Sequence, residues 1–339
     1  MMSKIFSKSE INEAAQKLRD GELVAFPTET VYGLGADATN ETAVKKVYLA
    51  KGRPSDNPLI VHVAGEEDVK KFATITPAAK KLMDQFWPGP LTIILPIIPG
   101  ALSQTVTGGL KTAAFRNPAN AATIELIKTA RVPLVGPSAN TSGKPSPTRP
   151  EHVMHDLDGK IAGVLDDGET KIGVESTVID MSGAIPTILR PGALTPAELE
   201  PVIGEIQTDH HKVGANEVPK APGMKYKHYA PAAQVYIVGD SEWNQVHELV
   251  DTKFKDQSAV MAVDHVLDEY PWDETVTFSL GKNVNDAAHN LFDGLRTLDN
   301  NEKIQVIFAQ EFNKEGLGEA YMNRLEKSAG QQHLKNQAL

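Results

Sequence analysis

Apolar residues along this chain fall in short runs separated by stretches of helical spacing, an alternation that predicts a layered α/β protein. Residues 23–26 are an apolar run closed by Pro27, which reads as a buried strand ending in a turn. Thr28, Glu29 and Thr30 follow where the strand passes into a loop, and Gly33 and Gly35 are expected to leave room there for a ligand. Asn40 is an N-cap candidate for a helix with Val44, Val47 and Tyr48 on one face, and Gly52 with Pro54 stops that helix. Residues 59–63 run out as a second strand. Ahead of this unit Ile11, Ala14, Ala15 and Leu18 mark one face of a helix, and short helices are expected behind it over 66–72 and 77–86. Further strands are predicted at 91–98, 111–116, 132–135, 161–165, 176–181 and 185–189, with helices at 121–130 and 196–206.

Beyond residue 206 the composition turns to that of a linker, and from about residue 234 the alternation resumes. Strands are expected there at 235–238, 258–263, 275–279 and 304–309, between helices of which one covers 284–298. The expected fold class is therefore α/β: a twisted open sheet with a ligand cleft in residues 1–206, a linker and lid candidate at 207–233, and a smaller Rossmann-like parallel α/β domain at 234–339. That last domain lacks G-x-G-x-x-G, so no dinucleotide is assigned to it.

The length of 339 residues suits two domains, and the absence of cysteine excludes disulfides, thiolate metal sites and cysteine nucleophiles. No run approaches membrane-spanning length and the first residues hold no signal-peptide core, so a cytoplasmic protein with no membrane partner is expected. The net charge of −10, from 34 Lys and Arg against 44 Asp and Glu, speaks against non-specific wrapping of nucleic acid.

Candidate chemistry gathers in two stretches. Lys51-Gly52-Arg53-Pro54 lies between helix and strand, close in sequence to Asn57 and His62; a compact anion would use all of these cations and amides, although a basic pair at a helix end is otherwise a dipole complement. The second stretch runs from Gly136 to Thr148 and is rich in Ser, Thr, Asn and Gly, groups that suit phosphate oxygens. It fails the P-loop spacing, and Ser138 lacks the glycine two places on that a nucleophile elbow needs. Arg116 and Arg190 each stand at a strand end. Tyr226, His228 and Tyr229, flanked by prolines, could fold over a site. Asp166 and Asp167 read as a solvated turn, and the His pairs 152/155 and 210/211 as surface residues without further ligands at metal-site spacing.

Read together, Lys51-Gly-Arg53 and Ser138-Ala-Asn140 match the K-x-R and S-x-N signature of the YrdC-like family of threonylcarbamoyl-AMP synthases, which the chain resembles in its longer two-domain form. PTETVYGLG, KGRP-x-x-NPL, PGPLT, GPSAN-x-SG-x-PSPT, ESTV and LRPG match around that signature, and NLFDGLRTLD and GLGEAYMNRLEK match the extra domain. The resemblance implies condensation of L-threonine, bicarbonate and ATP, with Mg2+ on the triphosphate, to threonylcarbamoyl-AMP and pyrophosphate, the first step toward threonylcarbamoyladenosine in tRNAs that read ANN codons. It implies Lys51, Arg53, Ser138 and Asn140 as catalytic; Arg53, Asn57, Thr112, Ser138, Ser146, Arg190 and Tyr229 on ATP; and Thr30, His62, Arg116 and Ser176 on L-threonine. Beyond small-molecule substrates, a downstream threonylcarbamoyl transferase and tRNA are the implied partners. Asn120 departs from the family, which commonly has histidine there. An RNA-binding module and a carbamoyl-transferring relative of the hydrogenase maturation factors are the alternatives; the acidic balance speaks against the first, and the lack of cysteine for zinc fingers against the second.

Overall fold

Strand pairing begins in the apolar runs. In the computed structural model, which describes residues 2–55, 57–209, 219–221, 228–272 and 275–337, the first strands are β1 (Lys4–Phe6), β2 (Val24–Phe26), β3 (Gly33–Asp37), β4 (Ile60–His62), β5 (Leu91–Pro96) and β6 (Thr112–Arg116). They are followed by β7 (Leu134–Val135), β8 (Gly163–Leu165), β9 (Thr177–Asp180), β10 (Thr187–Arg190) and β11 (Gln207–Thr208). These form one mixed sheet in the order β1-β8-β2-β3-β7-β4-β6-β5-β9-β10-β11. Both faces of β2 are covered: Leu23 and Ala25 join one apolar cluster with Tyr32, Val61 and Phe115, and Val24 and Phe26 join another with Leu18 and Leu126. This two-sided burial explains why the run is continuously apolar instead of alternating.

The glycine-rich stretch after Thr30 corrects an expectation. It forms β3, antiparallel to β2, and the space above its glycines is filled. A Cβ on Gly33 would stand 2.7 Å from the Phe26 ring, and one on Gly35 would stand 2.6 Å from the Val24 carbonyl oxygen. The glycines admit a neighbouring strand and an aromatic ring, not a ligand; alternating glycines carry too little β-propensity for a strand to be legible there.

Strand direction sorts the candidate residues. β4 and β6 run parallel, β5 is antiparallel to β6, β9 is parallel to β5, and β10 is antiparallel to β9. The C-terminal ends of β4, β6 and β10, with His62, Arg116 and Arg190, therefore share an edge with the N-terminal end of β9, which Ser176 precedes. β7 is antiparallel to β4, so the loop leaving β7 toward Ser138 and Asn140 starts beside the opposite ends of β4 and β6, where Asn57 and Thr112 enter. Ile60 and His62 are two residue steps apart on β4, about 7 Å at ~3.3 Å per residue.

The backbone divides into two compact units, Met1–Ser142 with Pro147–Tyr226 and Gly143–Ser146 with Lys227–Leu339. The second unit is built on β12 (Gln234–Val238), β13 (Ser258–Ala262), β14 (Val276–Ser279) and β15 (Val306–Gln310), all parallel in the order β12-β15-β13-β14. Its helices include Val284–Asp299 and Leu317–Ser328, the former capped by Asn283, whose side chain accepts from two backbone amides. The α/β class with a large mixed sheet and a separate Rossmann-like parallel sheet is as the sequence predicts. Among the described residues no helix is long and apolar enough to cross a membrane. Tyr226 and the His pair 210/211 lie outside the described residues.

Replacing Gly35 by alanine is expected to cost about 1–3 kcal/mol of stability, because the Val24 carbonyl cannot swing aside without breaking the β2–β3 ladder. Urea unfolding of wild type and Gly35→Ala measures this, and an unchanged midpoint would show that the two strands have slack between them.

Candidate active site

Lys51 is the last residue of the helix Glu41–Lys51, which Asn40 caps at its start and Gly52 closes in the left-handed region at φ 63°. The lysine is only 2% exposed. Its Nζ donates to the carbonyls of Ser138 at 2.5 Å and Asn140 at 2.7 Å, and its own carbonyl accepts the N–H of Ser142 at 2.8 Å. The K-x-R lysine thus binds the S-x-N loop directly. Gly33 bridges to Ser138 from the other side, so β3 and Lys51 hold this loop between them.

Arg53 folds back on its own loop, with Nη2 3.4 Å from the Asn57 carbonyl and 3.3 Å from that of Pro58. Asn57 is buried at 1% exposure, yet neither its amide nitrogen nor its amide oxygen has a hydrogen-bond partner. A buried amide satisfied at neither end is costly, and both of its ends are open to a hydrogen-bond partner. Thr112 opens β6 in register with Pro96.

At the other end of β4 and β6, in-register pairing sets His62 beside Arg116. The Arg116 guanidinium is buried: Nε donates to the Gly89 carbonyl at 3.3 Å and Nη1 to Thr30 Oγ1 at 2.9 Å, while Nη2 lies 2.7 Å from Glu29 Oε1. This last contact is an ion pair off the hydrogen-bond axis, since both atoms lack a hydrogen-bond partner despite the short distance. Glu29 is fixed from behind by the Ala119 N–H on Oε2 at 3.1 Å. Arginine carries five N–H groups, so two or more remain for an incoming carboxylate. His62 is stripped of its proton by burial first and by the Arg116 charge second, which take its pKa from 6.5 down to about 3. Its ring packs edge-on against Phe26 with centroids 5.1 Å apart.

Ser176 is fully buried, its hydroxyl 2.8 Å from Thr92 Oγ1. Arg190 donates to the Ser176 carbonyl from Nε at 3.2 Å and Nη2 at 3.0 Å, and to the hydroxyl at 3.1 Å. The first unit therefore gathers Thr30 with Arg116, Ser176 with Arg190, and Lys51 with Ser138 and Asn140. Ser146 and Tyr229 fall in the second unit, where Tyr229 is buried with φ +63° and its ring centroid lies 5.2 Å from that of Phe292.

Glu29 is the site residue that sequence reasoning overlooked. Its signal was available, a carboxylate between two threonines at a strand end, but nothing local showed that its charge meets an arginine 87 positions later. Asn120 proves to be a helix cap: Oδ1 accepts the Thr123 N–H at 2.9 Å and Nδ2 donates to Asp167 at 2.8 Å. Asp166 closes a turn by accepting the Gly168 N–H at 2.8 Å, and Asp167 pairs with Lys8.

Family models match nearly all of the chain, one described as "Telomere recombination" over residues 16–192 and one as "Threonylcarbamoyl-AMP synthase, C-terminal domain" over residues 194–330. The chain is 48% identical to the threonylcarbamoyl-AMP synthase of Bacillus subtilis, covering 95% of this chain and 93% of that one. It is 46% identical to the threonylcarbamoyl-AMP synthase of Pyrococcus abyssi, covering 96% and 95%. The crystal structure of P. abyssi Sua5 complexed with L-threonine superposes with a TM-score of 0.91 at 44% identity, covering 98% of this chain and 99% of that one.

The depressed His62 pKa has a signed consequence. As pH falls, the unfolded chain takes up a proton near 6.5 while the folded protein resists until about 3, so stability is full above pH 6.5 and drains as pH falls toward 3. Unfolding measured at about pH 7 and about pH 4 is expected to show a smaller acid loss in His62→Gln than in wild type. Equal losses would mean that the folded protein protonates this ring as readily as the unfolded one.

Proposed function

Because the chain belongs to the family of two-domain threonylcarbamoyl-AMP synthases, we propose that it condenses L-threonine, bicarbonate and ATP to threonylcarbamoyl-AMP and pyrophosphate. The observation that carries the substrate side is Arg116, a buried cation anchored by Glu29, Thr30 and the Gly89 carbonyl with N–H groups to spare, as a carboxylate clamp requires. In this reading Arg116 grips the threonine carboxylate, and Thr30, neutral His62 and Ser176 fix its amine, hydroxyl and carboxylate. Arg53 and the unsatisfied amide of Asn57 attend the phosphates with Lys51, Ser138, Asn140 and Ser146, while Thr112, Arg190 and Tyr229 complete the nucleotide contacts.

The chemistry suits these residues. The threonine amine and bicarbonate give a carbamate with loss of water, and a carbamate oxygen then attacks the α-phosphorus; the new P–O bond forms as the bond to pyrophosphate breaks. The nucleophile is already an anion, so the protein has to align it, exclude water and offset phosphate charge, not remove a proton. Magnesium is expected on the triphosphate. Among the described residues no three His, Asp or Glu side chains gather to hold a metal ion. The product is a mixed anhydride, an activated donor that suits a downstream transferase moving the threonylcarbamoyl group toward tRNA.

Pyrophosphate release from ATP is expected to require both L-threonine and bicarbonate and to yield the adenylate by mass; release independent of threonine would remove the assignment. Arg116→Ala should weaken threonine binding by roughly 2–5 kcal/mol, since it leaves a carboxylate unpaired in a dry site. Titration calorimetry with threonine measures this, and unaltered affinity would move the carboxylate elsewhere.

A further inference from the structure

The helix Val284–Asp299 carries more polar chemistry on one face than packing on a sheet calls for. Phe292, Arg296 and Asp299 follow one another at i, i+4 and i+7, a spacing that puts them on a common face. Phe292 receives the ring of Tyr229 at 5.2 Å. Arg296, 6% exposed, donates to the Pro145 carbonyl through Nε at 3.1 Å and Nη2 at 2.6 Å. Asp299 accepts the backbone N–H groups of Ala232 at 2.6 Å and Ala233 at 3.1 Å and pairs with Lys144 Nζ at 3.1 Å. The Ala230 N–H donates to the Gly143 carbonyl at 2.8 Å.

All of these residues belong to the second unit, to which Gly143–Ser146 is joined although the chain before and after it belongs to the first. An aspartate in the last turn of a helix opposes the macrodipole, so Asp299 weakens its own helix and is explained by what it holds. A buried guanidinium that commits two N–H groups to one carbonyl fixes that peptide in position and angle. Two segments remote in sequence, 143–146 and 229–233, are thereby tied to one helix face and to each other. The first is the middle of the Ser- and Asn-rich loop whose start, Ser138 to Asn140, is bound by Lys51.

We propose that Arg296 and Asp299 are positioning residues for the nucleotide: they hold Gly143–Ser146 in the conformation that receives ATP. The inference rests on the synthase reading above and gives the C-terminal domain a part in it. The full-length protein tests it, with Arg296→Lys, which keeps the charge but cannot fork, and Asp299→Asn, which keeps the shape; the two variants guard against a misfolded one.

Hydrogen exchange at the Gly143, Lys144 and Ser146 amides of the ligand-free variants is expected to quicken about tenfold, the KM for ATP to rise about tenfold, and the threonine Kd to stay within about twofold of wild type. Unchanged exchange overturns the proposal whatever the activity. Faster exchange with an unchanged KM for ATP, or with an equal loss of threonine affinity, also overturns it and leaves the two residues as packing groups. A wild-type protein that releases no pyrophosphate would sink the synthase reading instead, and exchange together with ATP affinity by calorimetry would still decide this inference.

Discussion

An ammonium taken out of water has to be met by oxygen, and at Lys51 the oxygens come from the loop that follows β7. The arrangement of the first unit follows from that requirement. The helix must end at Lys51, which Gly52 ensures by turning left-handed, and the loop from Gly136 must curl so that two of its carbonyls face one point. A lysine in this role organises peptide groups as a metal ion organises ligands, at a cost in desolvation that only several short contacts can offset. Removing it would leave two carbonyls facing a void, each costing about 1–3 kcal/mol.

Charge in the rest of the site is arranged on the same logic. Arg116 is balanced by Glu29 and Arg190 leans on the Ser176 carbonyl, so cations are fixed in place before any ligand arrives. The guanidinium beside it helps hold His62 neutral. A site of fixed positive charge with an unprotonated imidazole suits a reaction whose nucleophile is already anionic, where preorganised charge serves better than a strong base.

Much of this was legible in the sequence, for identifiable reasons. The run at residues 23–26, the helix stop at Gly52 and the α/β alternation after residue 234 depend on local pattern, and the strands Val24–Phe26 and Gln234–Val238 follow it within a residue. Motif order carried the K-x-R and S-x-N pairing, but not its physical content, since spacing cannot show that a lysine will bond to carbonyls 87 and 89 residues away. β3 was missed because alternating glycines look like a loop when the ring that fills their space lies in another strand. Glu29 was missed because a buried charge can be recognised only with its partner in view. The apolar face of the helix Val284–Asp299 could be read from its period, whereas Arg296 and Asp299 acquire meaning only from the peptide groups they hold.

Phe26 has a consequence for how this protein can change over time. Its ring occupies the space left by Gly33 and Gly35, and a Cβ on Gly136 would come within 2.5 Å of it and 2.6 Å of His62 Nδ1. One aromatic ring thus bears on the allowed size of three other positions and packs edge-on against the imidazole at the C-terminal end of β4. A larger side chain at Gly33 or Gly136 would therefore call for a smaller group at position 26, so these positions are coupled in what they accept although they are far apart in sequence.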